Sequence, residues 1–254
     1  MVKEQDIVFV TTTLKTKWLG YQSAIIKKLF PQSEHILVDG TSNWPNSWFY
    51  WIDRVKETGA KYYVHIDEDF FIESKEEMLR CIDIMENQNV DLLGVPDGYH
   101  HYRGANPVAI NTFLMFGRVE SLKKVNFSNI MFGYGQNGWA NNFGIAFRES
   151  YMDGFEYKHR QQGGSNFAFE QEPYYAFLWT MKELGCRFSY LYPHFDEMFK
   201  STNPRIDEFS EDIGIHMWYT RQWSSSEDIH GMTNAERYAE VEKHLLSIHG
   251  ETIV

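Results

Sequence analysis

The sequence predicts an α/β domain in which helices flank a mostly parallel β-sheet. Short apolar runs that suit buried parallel strands recur along the first half of the chain. Amphipathic stretches of helical length separate these runs, so strand and helix alternate as in right-handed βαβ units. The length of 254 residues is typical of one domain with a sizeable core.

The first half of the chain carries the regular alternation. Pro31 ends the first helix, Gly59 ends the second, and Ser47 and Ser74 are N-cap candidates for the second and third. In chain order, the expected strands are residues 7–10, 36–39, 62–66, 90–95 and 112–116, and the expected helices are residues 18–30, 48–58, 75–87 and 119–125.

The second half is less regular. Residues 126–166 are rich in Gly, Asn and aromatic side chains, with one expected strand at 144–147, which predicts a variable region that covers a site. Pro173 suits the first turn of a helix that continues to residue 184. The remaining expectations are a strand at 188–192, an acidic loop at 196–214, a short apolar run at 215–218 and a helix at 235–248.

Charge and cysteine content narrow the class of protein. A formal net charge of −11 argues against sequence-independent binding of nucleic acid, because such binding needs a basic surface. Two cysteines are too few for a disulfide framework and indicate a reducing compartment, so we expect a cytoplasmic protein. We see no signal-peptide pattern and no apolar run of membrane-spanning length, so we expect a soluble protein with at most peripheral membrane contact.

Three carboxylates, Asp67, Glu68 and Asp69, follow the apolar strand at residues 62–66. Ligands bind beyond the carboxyl ends of strands in open α/β sheets, so acids placed there face a site. Two aspartates separated by one residue can supply two oxygen ligands to Mg²⁺ or Mn²⁺. The alternative is a solvated acidic turn, and the Asp-x-Asp pattern alone does not decide between them.

Four other polar residues are candidates for the functional site. Asp39 ends the second strand, where an acid can accept hydrogen bonds from a nucleotide ribose, although Asp-Gly is also a common turn. Glu170 and Glu172 precede the Pro173 helix. One of them could be a general base that faces the site, or both could be ordinary helix-capping acids. His216 lies in an apolar run, where a buried core histidine is the common case. It would be a metal ligand if the two aspartates need a third one.

Several tryptophans fall in expected loops or at helix starts. Sugar rings stack on aromatic faces, so these side chains would suit a carbohydrate ligand, although some of them are expected in the core. The tryptophans concerned are Trp44, Trp48, Trp51, Trp139 and Trp223.

The order of these features resembles a nucleotide-sugar-dependent glycosyltransferase of the GT-A fold, closest to family 2. The resemblance covers about residues 5 to 220, from the first strand through the D-x-D motif to His216. It implies a Rossmann-like, mostly parallel sheet with an irregular, aromatic-rich acceptor region. It also implies one domain over residues 1–254, with a nucleotide-binding half (5–125), an acceptor and catalytic half (126–220) and a C-terminal tail and helix (221–254).

The same resemblance implies roles for the candidate residues. Thr11, Thr13, Asp39 and Asp67 would contact the nucleotide. Asp67 and Asp69 would hold a divalent metal, Mn²⁺ or Mg²⁺, with His216 as a further ligand. Glu172, or failing that Glu170, would be the base of an inverting transfer.

We therefore expect a metal-dependent hexosyltransferase of polysaccharide biosynthesis that moves one sugar from a nucleotide-sugar donor, UDP-linked, to a glycan or glycolipid acceptor. Two alternatives stay open. A sugar-phosphate nucleotidyltransferase would need a Gly-rich basic loop after the first strand, where this chain offers Lys15 and Lys17. A non-catalytic carbohydrate-binding module would bind sugar without turnover.

Overall fold

The protein is a mixed α/β structure in which helices flank a largely parallel six-stranded sheet, as expected from the sequence. The strands of this sheet lie in the order β2-β1-β3-β6-β5-β7, and only β6 runs antiparallel to its neighbours. The computed structural model describes residues 2–42, 46–96, 109–126, 128, 130, 173–217, 228–229, 232–250 and 253.

Within those residues there are twelve strands, six α-helices and two short 3-10 helices. The strands are β1 (Ile7–Thr13), β2 (Glu34–Asp39), β3 (Tyr62–Ile66), β4 (Phe70–Ile72), β5 (Leu92–Pro96), β6 (Ile110–Arg118), β7 (Phe188–Tyr190), β8 (Tyr192–Asp196), β9 (Ser201–Arg205), β10 (Gly214–His216), β11 (Asp228–Ile229) and β12 (Met232–Thr233). The α-helices are α1 (Trp18–Leu29), α2 (Trp51–Lys56), α3 (Lys75–Gln88), α4 (Val119–Leu122), α5 (Pro173–Glu183) and α6 (Asn234–His249), and the 3-10 helices are Glu4–Asp6 and Asn46–Tyr50.

Strand β1 explains why helices cover both faces of the sheet. Its side chains alternate between two apolar cores, with Ile7 and Phe9 in one and Val8 and Val10 in the other. The first core packs against α1, α3 and α6, and the second against α2 and α5. Because both faces are buried, the strand reads as a continuous apolar run.

The register of the parallel strands places their polar ends side by side. Thr13, at the end of β1, pairs with Asp39, at the end of β2. On the other side of β1, Val10 pairs with His65 of β3, so the residues that follow β3 lie at the same edge of the sheet. This is the edge at which α/β sheets bind ligands.

A second sheet corrects the sequence-based assignment of residues 196–214 as a loop. Strands β4, β10, β9 and β8 form a four-stranded antiparallel sheet, and β9 lies inside that segment. The β9 sequence, Ser-Thr-Asn-Pro-Arg, lacks the apolar alternation of a strand. Its extended form comes from pairing with β8 and β10, so tertiary context overrides local propensity here.

Two tryptophans considered for carbohydrate stacking lie in the core instead. Trp48 and Trp51 are 3% and 0% exposed, and their rings form an edge-to-face pair with centroids 5.5 Å apart. They sit between the sheet and α5, where their size fills the second core. Trp44, Trp139 and Trp223 lie outside the described residues.

The rings of Trp48 and Trp51 enclose His65, which is fully buried on β3. Its Nδ1 lies 2.8 Å from the Thr112 carbonyl oxygen, so Nδ1 carries the proton of a neutral imidazole. Burial lowers the pKa of His65 from 6.5 to about 4, against the opposing effect of that hydrogen bond.

None of the described helices is both long enough and apolar enough to cross a lipid bilayer.

Because the pKa of His65 is lower in the folded than in the unfolded chain, acid should lower the free energy of unfolding. Its contribution to the free energy of unfolding is complete above about pH 6.5 and is lost as the pH falls towards 4. Between about pH 7.5 and 5.0 this amounts to about 2 kcal/mol. Urea unfolding of wild type and His65→Gln at both pH values measures it, and the variant should lose less stability on acidification. Equal losses in the two proteins would contradict the assignment.

Candidate functional site

The acidic residues between β3 and β4 form a tight turn at the ligand-binding edge of the sheet. The Asp67 N–H donates to the Phe113 carbonyl at 3.1 Å, and the Phe70 N–H donates to the Asp67 carbonyl at 3.0 Å. These bonds fix the backbone on both sides of Glu68. Asp67 and Asp69 are half-buried, so their carboxylates are held by the fold and still reach solvent.

His216 is brought to this turn by the second sheet. Strand β10 pairs antiparallel with β4, and the register sets His216 opposite Phe70. The Met217 N–H donates to the Asp69 carbonyl at 3.0 Å, which extends the pairing to the acidic turn. The imidazole stacks on the Phe113 ring at 4.0 Å with 10° between the planes, so its orientation is restricted.

Asp67, Asp69 and His216 together form a candidate metal site. One ligand atom from each lies within 4.8 Å of the other two, and His216 Nε2 is 3.4 Å from Asp69 Oδ1. Two carboxylates and one imidazole on one side suit a divalent cation that keeps its other positions for water or phosphate oxygens. Among the residues that the structure describes, this is the one such group of three.

Gln22 of α1 supports the turn through a hydrogen bond to its backbone, and no local sequence pattern marks this residue. Its side chain is 1% exposed, its Nε2 donates to the Asp67 carbonyl, and its Oε1 accepts from Thr11 Oγ1 at 3.0 Å. The Thr11 hydroxyl also lies 3.0 Å from His35 Nε2. Thr11 is therefore fully buried with its hydroxyl engaged, and a ligand could reach it only by replacing those bonds.

Thr13 and Glu68 join the end of β1 to the acidic turn. The Thr13 hydroxyl donates to Glu68 Oε2 at 2.6 Å, and both side chains are buried. Sequence reasoning missed Glu68, because the flanking aspartates carry the recognisable metal-binding pattern. Its burial depends on the loop after β1, which no local pattern reveals.

Asp39 lies beside Thr13 at the sheet edge and stays accessible. Its carboxylate contacts Lys15 Nζ at 2.6 Å and accepts from the Thr41 hydroxyl at 2.6 Å and the Thr41 N–H at 2.9 Å. The hydrogen bond from Lys15, followed by those from Thr41, holds the pKa of Asp39 well below its usual range. Asp39 is thus a permanent anion that can accept hydrogen bonds from a ligand.

Helix α6 packs against α1 and against the residue that follows β4. Tyr238 is 1% exposed and packs on Trp18 with ring centroids 4.8 Å apart. Burial raises the pKa of Tyr238, Arg237 opposes that effect, and the negative charge of Asp69 adds to it. His244 of the same helix hydrogen-bonds Glu73 at 2.5 Å, directly after β4.

The two glutamates considered as a general base, Glu170 and Glu172, lie outside the described residues. The helix that they precede does begin at Pro173, as predicted.

No family model matches this chain, and no curated protein sequence matches it. Among solved structures, it is similar to a glycosyltransferase involved in the glycosylation of the major capsid of PBCV-1, at 12% identity and a TM-score of 0.45, over 93% of this chain and 98% of that one. It is also similar to the mannosyltransferase PcManGT from Pyrobaculum calidifontis, solved with GDP-Man and Mn²⁺, at 14% identity and a TM-score of 0.33, over 46% of this chain and 45% of that one.

The position of His216 should depend on a glycine two residues earlier. A Cβ on Gly214 would lie 2.3 Å from the Phe71 carbonyl oxygen and 2.7 Å from Phe70 Cζ, so the β4–β10 pair would have to separate. We expect Gly214→Ala to lower the free energy of unfolding by about 1–3 kcal/mol and to weaken Mn²⁺ binding.

Gly59→Ala is the matched control, because no atom lies within 4 Å of its added Cβ. It should change stability by less than about 0.5 kcal/mol. Chemical unfolding and Mn²⁺ calorimetry of both variants test the dependence. Normal Mn²⁺ affinity in a destabilised Gly214→Ala protein would show that the strand pair does not set the metal site.

Proposed function

We propose that this protein is a metal-dependent glycosyltransferase that moves one sugar from a nucleotide-sugar donor to a glycan or glycolipid acceptor. The observation that carries the proposal is the grouping of Asp67, Asp69 and His216 at the carboxyl edge of the sheet. An accessible anion, Asp39, lies at the same edge at the end of β2, which β1 separates from β3. A site for a diphosphate-bound cation and a site for a nucleoside are thus combined on one surface.

Asp39 is the proposed contact for the nucleoside. Its carboxylate is ionised and reaches solvent, so it can accept hydrogen bonds from ribose hydroxyls. Asp67 is the second nucleotide contact. Thr11 and Thr13 are buried behind the same edge, and their hydroxyls bond to neighbouring side chains. We therefore assign these two threonines the role of shaping the nucleotide site from within.

Asp67, Asp69 and His216 are the proposed ligands of a divalent cation, Mn²⁺ or Mg²⁺. When bound, such a cation neutralises the charge that develops on the departing diphosphate. The mixed oxygen and nitrogen donors favour Mn²⁺, since Mg²⁺ prefers oxygen alone. The stacking of His216 on Phe113 keeps the ring directed at the aspartates, so the site is arranged before the donor arrives.

The proposed reaction is a single displacement with inversion. A carboxylate, Glu172 or failing that Glu170, accepts the proton of an acceptor hydroxyl. The hydroxyl oxygen forms a bond to the anomeric carbon as the bond from that carbon to the diphosphate oxygen breaks. The products are the glycosylated acceptor and a nucleoside diphosphate. The acceptor would lie along the segment 126–169, with the nucleotide half at 5–125, in the manner of a family 2 enzyme of the GT-A fold.

Calorimetric titration with UDP, GDP and CDP, each with Mn²⁺ and with EDTA, tests the donor site. We expect one nucleotide to bind only with Mn²⁺, and we expect UDP to be that nucleotide. Asp69→Asn should weaken its affinity by about 100-fold, because a charged ligand of the cation is lost. Asp83→Asn, an exposed carboxylate on α3, is the control and should bind like wild type. Failure of all three nucleotides to bind under any condition would overturn the proposal.

A further inference from the structure

Glu68 stands between the two aspartates of the candidate metal site, yet its carboxylate turns into the protein. It is 6% exposed and accepts three hydrogen bonds from the last residue of β1 and the segment that follows it. The donors are the Thr13 hydroxyl at 2.6 Å, the Leu14 N–H at 3.2 Å and the Thr16 N–H at 3.3 Å. The acidic turn is thereby tied to residues 14–17, the loop that joins β1 to α1, here named the β1–α1 loop.

The middle of the β1–α1 loop has an unfavourable backbone conformation. Lys15 has a φ of 62°, in the left-handed region that residues with a side chain rarely adopt. Its N–H donates to Thr13 Oγ1 at 2.8 Å, and the same hydroxyl donates to Glu68. Such a conformation persists only where surrounding contacts enforce it. Here the residues before and after Lys15, Leu14 and Thr16, both donate to Glu68.

The shape of the loop decides where the charge of Lys15 lies. In the observed conformation its ammonium is 2.6 Å from Asp39, and both side chains reach solvent at the sheet edge. Glu68 thus bonds the two neighbours of Lys15, and Lys15 pairs with Asp39, the anion of the proposed nucleoside site. Asp67 and Asp69, its neighbours in sequence, belong to the metal site.

We propose that Glu68 is a positioning residue for the donor nucleotide and not a metal ligand. It holds the β1–α1 loop so that Lys15 and Asp39 form a preorganised, oppositely charged pair for the nucleotide. This inference rests on the proposed function. If the loop is ordered before the nucleotide arrives, binding does not have to order it, and affinity is higher.

A carboxylate is required because all three partners are donors. A glutamine has one acceptor oxygen, and its amide nitrogen would point N–H groups at another donor. Glu68→Gln should therefore release part of the β1–α1 loop and leave Asp67, Asp69 and His216 in place. Nucleotide binding and metal binding should separate in this variant.

The test compares Glu68→Gln with Glu77→Gln, an equally buried carboxylate on α3 that bonds Arg80. Each protein is titrated with Mn²⁺ alone and then with UDP, GDP and CDP in the presence of Mn²⁺. We expect Glu68→Gln to bind Mn²⁺ within about twofold of wild type and the nucleotide about tenfold more weakly, the effect of one lost preorganising restraint. Glu77→Gln should match wild type in both titrations.

Each outcome of these titrations has a separate meaning. If wild type binds no nucleotide, the proposed function fails. If wild type binds one and Glu68→Gln binds it equally well, the positioning role is wrong. A parallel loss of Mn²⁺ affinity would also overturn the role, because Glu68 would then act through the metal site. Glu68→Asp, which keeps the charge on a shorter side chain, replaces Glu68→Gln if that variant does not fold.

Hydrogen exchange of the wild-type protein without added ligand is a separate test that needs neither a variant nor a nucleotide. The Leu14 and Thr16 amides donate to Glu68, so they should exchange slowly compared with unbonded loop amides. Rapid exchange at both positions would show that Glu68 does not hold the loop, and would overturn the inference directly.

Discussion

The arrangement of the site depends on the antiparallel pairing of β4 with β10. This pairing connects the acidic turn after β3 to a strand from much later in the chain, and it sets His216 opposite Phe70. Gly214 permits the close approach, since any side chain there would meet the Phe71 carbonyl. Without this pairing the two aspartates would form an ordinary exposed turn, so the second sheet is what gives the D-x-D pattern its third potential ligand.

The acidic turn combines three consecutive carboxylates with different surroundings. Asp67 and Asp69 are half-buried and converge with His216, while Glu68 is buried and bonds the β1–α1 loop. Three like charges in sequence would repel one another if they shared one environment. Hydrogen bonds from the β1–α1 loop and Thr13 hold Glu68 inside the protein, while the other two carboxylates lie at the candidate metal site.

Much of the fold could be predicted from the sequence, because parallel strands buried on both faces appear as apolar runs such as Ile7–Val10. Asp39, Asp67 and Asp69 could be located because they follow such runs. Strand β9 could not be predicted, since its polar sequence is extended only through long-range pairing. The roles of Gln22 and Glu68 were also hidden, because a buried polar side chain is recognised by its partners, and these are distant in sequence. Trp48 and Trp51 show a different kind of error. These residues lie near predicted loops and were considered for carbohydrate binding, but they are buried in the core.

In the proposed site, Asp67, Asp69 and His216 would hold a cation that also binds the donor's diphosphate. Pulsed electron paramagnetic resonance of Mn²⁺, bound together with the nucleoside diphosphate of highest affinity, measures both contacts on one ion. We expect a nitrogen coupling that changes when histidine is labelled with ¹⁵N, disappears in His216→Ala, and coexists with a ³¹P coupling. A ³¹P coupling without any histidine nitrogen would show that the ion is held elsewhere, and would rule out the proposed site.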